Sequence, residues 1–345
     1  WVSPTFSQKS KIAPIPGVRG GLRAITAAVV ISLAACASRP PVLPALTLQP
    51  AATVELADPP FFSPDTYQCG PAALATVLNA AGVEARPAVL VDQVYVPERR
   101  GSLQVELLAA TRRAGRIPYL VEPTLDALIA ELEAGRPVLV LQNLGLGFLP
   151  VWHYAVVIGI DPEGDQVILR SGTERRQLQD ARSFMRRWRL SDNWGMVVLR
   201  PGEMPADAQA QRYLGAVALA EPMLSAESRL RAYAVALEHW PTSPTASFGY
   251  AHALYGTGDL AAAEDAYTAL IARHPRHAAA YNNLALVLMD RGCKTQARAA
   301  ARRALAIATD DHPTLVDTVS ETLRSISAPS TATCRLEAFD AHLDH

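Results

Sequence analysis

Two residues of the chain have the types and spacing of a nucleophile and its base, Cys69 and His153. Cys69 lies in Tyr67-Gln68-Cys69-Gly70-Pro71, directly before an apolar run. The run predicts a helix over residues 69–81 with the cysteine in its first turn. Unpaired backbone N–H groups and the helix dipole at that position lower a thiol pKa and supply donors for an oxyanion. We therefore expect a reactive thiol at Cys69.

His153 stands near the start of a hydrophobic, β-branched run that predicts a strand over residues 151–160. Alternation along a strand places His153, Ala155 and Val157 on one face, so a polar ring occupies a face otherwise fit for a core. Because the ring needs a partner and follows Cys69 by 84 positions (153 − 69), we predict a Cys/His pair. In that pair His153 takes the thiol proton and the thiolate attacks a carbonyl carbon.

The two segments together resemble the papain-like bacteriocin-processing (double-glycine leader) peptidase family. The resemblance is carried by Cys69-Gly70-Pro71 followed by small residues and Leu74, and by His153-Tyr154 followed by Ala-Val-Val. It covers residues 58–200 and implies an α+β papain-like cysteine peptidase fold. It also implies Cys69 as nucleophile and His153 as base, with no cofactor and no metal.

The third catalytic residue departs from the family pattern. Members have an Asp or Asn about sixteen residues after the His, where this chain has Leu169. If the strands turn at residues 162–164, Asp161 lies at the far end of the strand from the imidazole. The same hairpin brings Ser171 and Thr173 near the ring, so either hydroxyl could orient it.

The oxyanion hole departs from the pattern as well. Family members carry a Gln five or six residues before the Cys, where this chain has Ser63 and Pro64. Gln68 is a displaced substitute. We therefore expect a Cys/His dyad whose oxyanion hole lacks its usual second donor.

The predicted elements around the pair fit an α+β domain. Amphipathic helices are predicted over residues 102–115 and 124–135, each ended by a glycine. Strands are predicted over residues 138–141, 151–160, 166–170 and 196–199, with a turn at residues 162–164. Helices early and an antiparallel sheet late are typical of the α+β class.

Beyond residue 200 the chain becomes alanine-rich, and a period of 34 residues can be counted. Equivalent residues 34 positions apart are Pro241 and Pro275, Ala251 and Ala285, Gly258 and Gly292, Ala263 and Ala297, and Leu270 and Ala304. This is the tetratricopeptide period. We predict an all-α repeat domain over residues 205–327 with repeats at 244–277 and 278–311, a degenerate repeat at 210–243, and a tail over 328–345. Such repeats offer a concave surface to a peptide or protein partner.

The first 36 residues have the pattern of a targeting segment. Four basic residues precede an uncharged apolar run that ends in Leu33-Ala34-Ala35-Cys36. This end resembles the lipobox of bacterial lipoproteins, which implies a lipid on Cys36 and a membrane anchor. Ala37 after the cysteine implies the periplasmic face of the outer membrane. Residues 37–57 are rich in proline and predict an extended tether before a peptidase domain at 58–200.

Composition limits the remaining function classes. The 345 residues carry 32 Lys+Arg and 33 Asp+Glu, so the net charge of -1 gives no support to a nucleic-acid partner. The four cysteines have no zinc-ligand spacing. The prediction is a membrane-tethered periplasmic cysteine peptidase that acts on a peptide or protein. A catalytically degenerate peptide-binding scaffold and a thiol acyltransferase remain the alternatives.

Overall fold

The computed structural model of the protein describes residues 53–63 and 68–326. Cys36 and its predicted lipobox, most of the predicted tether, and the tail over 328–345 therefore lie outside the described residues. All described residues belong to one compact unit.

An antiparallel sheet forms the centre of the first half. Its strands are β1 (Val54–Glu55), β4 (Ile117–Leu120), β5 (Val138–Asn143), β6 (Trp152–Asp161), β7 (Gln166–Ser171), β8 (Glu174–Asp180) and β9 (Gly195–Leu199). The order across the sheet is β4-β9-β5-β6-β7-β8, and β1 pairs with β6. A separate two-stranded ribbon joins β2 (Tyr95–Val96) to β3 (Gly101–Ser102). The sheet begins before the boundary predicted at residue 58, because Val54 pairs with Ile160.

Helices cover both faces of this sheet. They are α1 (Cys69–Ala80), α2 (Pro87–Val94), α3 (Gln104–Arg113), α4 (Leu125–Glu133) and α5 (Ala181–Arg189). The predicted helices over 69–81, 102–115 and 124–135 are thus present. The sequence patterns missed α2, α5, β4 and β8, which are short or strongly charged. The observed α+β architecture confirms the predicted fold class.

The second half consists of helix pairs. They are α6 (Ala210–Ala220), α7 (Ala226–His239), α8 (Pro244–Thr257), α9 (Leu260–Arg273), α10 (Ala278–Asp290), α11 (Lys294–Asp311) and α12 (Val316–Ser325). The pairs α6/α7, α8/α9 and α10/α11 coincide with the three predicted repeats. Gly258 ends α8 with φ +84°, the left-handed conformation that glycine adopts without strain. Tyr267 is buried and its hydroxyl accepts a hydrogen bond from Asn283 of the next pair.

The two faces of the sheet belong to different hydrophobic cores. Residues Tyr154, Val156 and Ile158 of β6 pack with α1, α2 and α3. Ala155 and Val157 face the opposite way and pack with α4 and α5. This second core continues without a break into α6, α7 and the start of α8, so the first helices of the repeats share their core with the sheet.

No helix in the part of the chain that the structure describes is both long enough and apolar enough to span a membrane.

Candidate active site

The Cys69 thiol lies at the first residue of α1 and is partly buried. Gln68 is the N-cap residue, yet its side chain makes no capping hydrogen bond. The N–H groups of the first turn are therefore not blocked by a side-chain acceptor. Backbone N–H groups of Tyr154, Gly70 and Cys69 itself lie near the sulfur and favour the thiolate.

Burial decides the protonation state of this thiol. Removal from water raises the pKa of the Cys69 thiol, and the three backbone N–H groups offset that rise only in part. This differs from the lowered pKa that the helix position alone predicts. The thiolate is thus not the resting form near neutral pH, because desolvation outweighs the helix N-terminus.

His153 is the second residue of β6 and lies opposite Gln142 of β5. Its Nε2 lies 2.9 Å from Ser171 Oγ, and its Nδ1 makes no hydrogen bond to a described residue. Burial lowers the pKa of the His153 imidazole, and the Arg187 guanidinium lowers it further. The ring is therefore neutral at neutral pH.

The thiol and the imidazole reach the same end of β6 from opposite faces. Cys69 packs with the core that contains Tyr154, whereas alternation places His153 on the face of Ala155 and Val157. The sulfur contacts the N–H of the peptide bond that joins His153 to Tyr154. The structure shows no hydrogen bond between Sγ and the imidazole, although both residues are described.

The residues considered as partners of the His153 imidazole lie at different distances from it. Ser171 is buried and makes the bond to Nε2. Thr173 lies exposed in the turn after β7, and its hydroxyl bonds to no described residue. Asp161 lies at the far end of β6, where it accepts a hydrogen bond from Thr53. Of these three residues, the structure places only Ser171 at the imidazole.

Ser102 is a site residue that lies outside the motifs around Cys69 and His153. Its hydroxyl lies so close to Gly70 that a Cβ there would be 2.4 Å from Oγ, which explains the glycine after Cys69. The Ser102 Oγ is buried and has no hydrogen-bond partner. An unpaired buried hydroxyl costs about 1–3 kcal/mol, so a ligand atom that pairs with it gains that energy.

A cleft of about 560 Å³ opens beside the thiol. Its walls come from α1, the β3 region, the end of β5, the start of β6 and the segment after α5. The lining residues are Cys69, Arg99, Arg100, Gly101, Ser102, Leu103, Gln104, Leu141, Pro150, Val151, Trp152, Tyr154, Leu190, Ser191 and Asp192. Apolar walls with two guanidinium groups fit a polypeptide segment better than a small polar metabolite.

Two segments of the chain match known protein families. Residues 54–195 match the Peptidase_C39 like family. This C39-like match confirms the resemblance seen in the sequence motifs. Residues 248–312 match the tetratricopeptide repeat family, which confirms the 34-residue period. The comparison with curated proteins finds no match to this chain.

The C39-like domain indicates a cysteine-peptidase-like protein with repeats. The domain differs from the family pattern mainly in the group that orients the imidazole. This group is the hydroxyl of Ser171, where the resemblance implies a carboxylate or an amide. A serine hydroxyl holds an imidazole less strongly than a carboxylate does. Among the described residues, no group of three or more His, Cys, Asp or Glu side chains is placed to hold a metal ion.

Proposed function

We propose that the C39-like domain is a thiol peptidase that hydrolyses an amide bond of a peptide or protein. The observation that carries the proposal is a free thiol at an uncapped helix N-terminus, on the wall of a cleft and against the backbone of the strand that bears His153. Packing alone would favour an apolar residue at a cleft wall, whereas acyl transfer needs a thiol beside N–H donors.

His153 is the general base in this proposal. When Nε2–H donates to Ser171 Oγ, Nδ1 is the unprotonated nitrogen and is free to accept the thiol proton. The thiol and the imidazole are both neutral at rest, so proton transfer accompanies attack. Because they lie on opposite faces of β6, the start of that strand must rearrange when substrate binds before the ring can reach Sγ.

The proposed hydrolysis proceeds through an acyl-enzyme. The Cys69 Sγ bonds to the carbonyl carbon of the substrate as the thiol proton passes to His153. The imidazolium returns that proton to the departing amine when the C–N bond breaks. Water then adds to the thioester, its hydroxyl remaining on the carbonyl carbon and its proton returning through His153 to the thiol.

The Cys69 backbone N–H and the Ser102 hydroxyl are the proposed oxyanion donors. Ser102 stands in for the Gln that the resemblance implies, because its hydroxyl lies at Gly70, lines the same cleft and is unpaired. Loss of one such donor costs about 2.7–4 kcal/mol in the transition state. Gln68 is a weaker choice, since its side chain makes no hydrogen bond at the helix N-terminus.

A thiol-reactive peptidyl probe tests the proposal on the full chain. We expect the probe to label Cys69 in the folded protein, and a peptide mixture to yield cleaved products by mass spectrometry. Cys69→Ala should abolish both results, and Ser102→Ala should lower kcat with little change in KM. Labelling that needs denaturant would show that the thiol is part of the core.

A peptide-binding scaffold without hydrolysis is the second candidate. Two observations favour it: Sγ and the imidazole share no hydrogen bond, and Ser171 replaces the expected acid. A scaffold would bind peptides equally well as wild type and as Cys69→Ala, with no product in either case. A peptidase would bind in both cases but release products only in the wild type.

The repeats indicate a protein-interaction surface, and we propose that they recruit a substrate or partner to the domain.

We also propose that the chain is an envelope lipoprotein anchored through Cys36. Cys293 is disulfide-bonded, which supports an oxidising compartment. Cys36→Ser should shift the protein from the detergent phase to the aqueous phase and leave the precursor uncleaved. Unchanged partitioning would contradict the anchor.

A further inference from the structure

The connection between β5 and β6 is an apolar hairpin, residues 144–152. Most of its large side chains are exposed: Leu144, Leu146, Phe148, Leu149, Val151 and Trp152. Phe148 is 85% exposed and Leu149 is 67% exposed. A contiguous group of exposed apolar side chains on a folded protein marks an interaction surface for a protein, a membrane or a ligand.

The backbone of the apolar hairpin is hydrogen-bonded within itself. Leu146 and Leu149 exchange a reciprocal pair of N–H to O=C bonds of 3.1 Å each, and the Leu144 N–H donates to the Val151 carbonyl. The Asn143 side chain accepts from the N–H groups of Gly145 and Val151 and donates to the Leu146 carbonyl. A tip that satisfies these backbone groups internally can leave water with little loss of hydrogen bonding.

The surroundings of the hairpin are cationic. Arg99 and Arg100 line the same cleft as Val151 and Trp152. Arg189 ends α5 just before Leu190, whose side chain lies next to Gly147. These three arginines are exposed and form no ion pair among the described residues. Two acidic residues lie nearby: Asp192 lines the cleft as well, and exposed Glu98 directly precedes Arg99.

We propose that the apolar hairpin inserts into the interfacial layer of a membrane with anionic headgroups. Val151 and Trp152 at the base of the hairpin line the cleft, but Leu146, Phe148 and Leu149 at its tip are exposed and lie outside the cleft lining. Apolar side chains at such a tip can enter a lipid layer, which needs no partner surface of matching shape. Trp152 and the arginines at its base match the aromatic and basic residues found at membrane interfaces. Insertion would direct the cleft of Cys69 toward substrates at the membrane surface.

Vesicle binding tests this proposal independently of catalysis. The full chain carries Cys36→Ser in every sample, so that lipidation does not mask the hairpin. We expect binding to phosphatidylglycerol-containing vesicles to exceed binding to phosphatidylcholine vesicles. Phe148→Asp should weaken it at least about tenfold, given the burial of one large apolar side chain. The matched control is Leu219→Asp, because Leu219 of α6 is 64% exposed but remote in sequence from the hairpin; it should bind as the parent does.

A second readout covers the case in which Phe148→Asp fails to fold. Phe148→Trp places an indole at the tip, and brominated lipids should quench it beyond the quenching of the parent chain. Equal vesicle binding by Phe148→Asp and its parent, or no added quenching of the new indole, would overturn the proposal. So would a Phe148→Asp variant that loses capture of a soluble peptide while keeping vesicle binding, since the hairpin would then be a peptide site. Turnover by Cys69 is not part of either readout.

Discussion

The charge state of two side chains decides which mechanism the site can use. Burial raises the pKa of Cys69 and lowers the pKa of His153, so both shifts favour the neutral pair. A preformed thiolate–imidazolium pair would require the opposite shifts. The proposed mechanism therefore requires proton transfer at the moment of attack.

This protonation state predicts a particular pH dependence. Alkylation of Cys69 by iodoacetamide should be slower near neutral pH than that of a small free thiol, and should rise only at alkaline pH. His153→Ala should leave that profile nearly unchanged, because no ion pair is lost, but should reduce turnover by about 10²–10⁴. Rapid alkylation at pH 6–7 that disappears in His153→Ala would instead reveal an ion pair.

The acidic limb of the activity profile follows from the lowered pKa of His153. In the proposed mechanism the imidazole acts as base only when neutral, so kcat/KM should fall as pH drops through a value below the ordinary 6.5 of histidine. The measurement is kcat/KM from pH 4 to 9 in the wild type. A limb above pH 6.5 would contradict the buried environment and the influence of Arg187.

Ser171 and Thr173 form a matched pair for testing the orienting role. Ser171→Ala removes the hydrogen bond to Nε2 and should lower kcat about tenfold with little effect on KM. Ser171→Asn, which restores a hydrogen-bonding group, should recover part of the loss. Thr173→Ala should be silent, because that side chain is exposed and bonds to no described residue. Equal effects of the two alanine variants would remove Ser171 from the site.

At the scale of elements, the start of α10 contains a titratable cap. His277 is the N-cap residue, and its Nδ1 accepts the N–H of Ala280 at 3.1 Å. Burial lowers its pKa, and the neighbouring His274 and His312 lower it further. Protonation of Nδ1 would abolish the acceptor, so the cap exists only while the imidazole is neutral.

We therefore expect the stability of the repeats to depend on pH through His277. The folded-state pKa is below the unfolded value of about 6.5, so this contribution is complete above pH 6.5 and is lost as pH falls through the folded pKa. The loss should be about 1 kcal/mol, the usual value of an N-cap. His277→Asn keeps a cap that does not titrate and should flatten the pH dependence in denaturant unfolding. An unchanged dependence in that variant would assign it to other groups.

At the scale of the whole molecule, the sheet and the first repeat helices share one core. Tyr213, Leu214 and Val217 of α6 are buried against it. Polar contacts accompany them: the Tyr119 hydroxyl donates to the Asp207 carbonyl, and the Ala206 N–H donates to Glu131. Arg212 also pairs with Glu122. The packing therefore argues against a freely jointed peptidase domain.

Truncation tests this continuity. A chain that ends at Met204 exposes the face covered by α6–α8. Each large side chain removed from that core contributes about 1.5–3 kcal/mol, so several together approach the whole stability of a domain. We expect that truncation to lose cooperative thermal unfolding of the sheet. A chain that ends at Pro275 keeps the shared core and should retain cooperative thermal unfolding of the sheet. Equal melting of the sheet in both chains would show that the repeats do not support it.

Local patterns in the sequence were sufficient to predict many elements and the family resemblance. The helix at Cys69, the β6–β7 hairpin and the 34-residue repeats all leave periodic or turn signals within short windows. The short β1, β2 and β3 strands and the charged β8 leave none, because pairing with distant strands stabilises them. The choice of Ser171 over Thr173 likewise depended on the β-bulge at residues 157–159 and on where β7 ends.

The sequence by itself determined the residue types, the order of Cys69 and His153 along the chain, and the repeat period, since these depend on composition and local spacing. Only the tertiary structure decided the charge state of the site, because the pKa of Cys69 reflects burial by groups remote in the chain. It also decided that Ser102 lies against Gly70, a contact across 32 residues (102 − 70) that only helix-to-strand packing creates. The shared core likewise arises from long-range packing, for which the 34-residue period carries no signal.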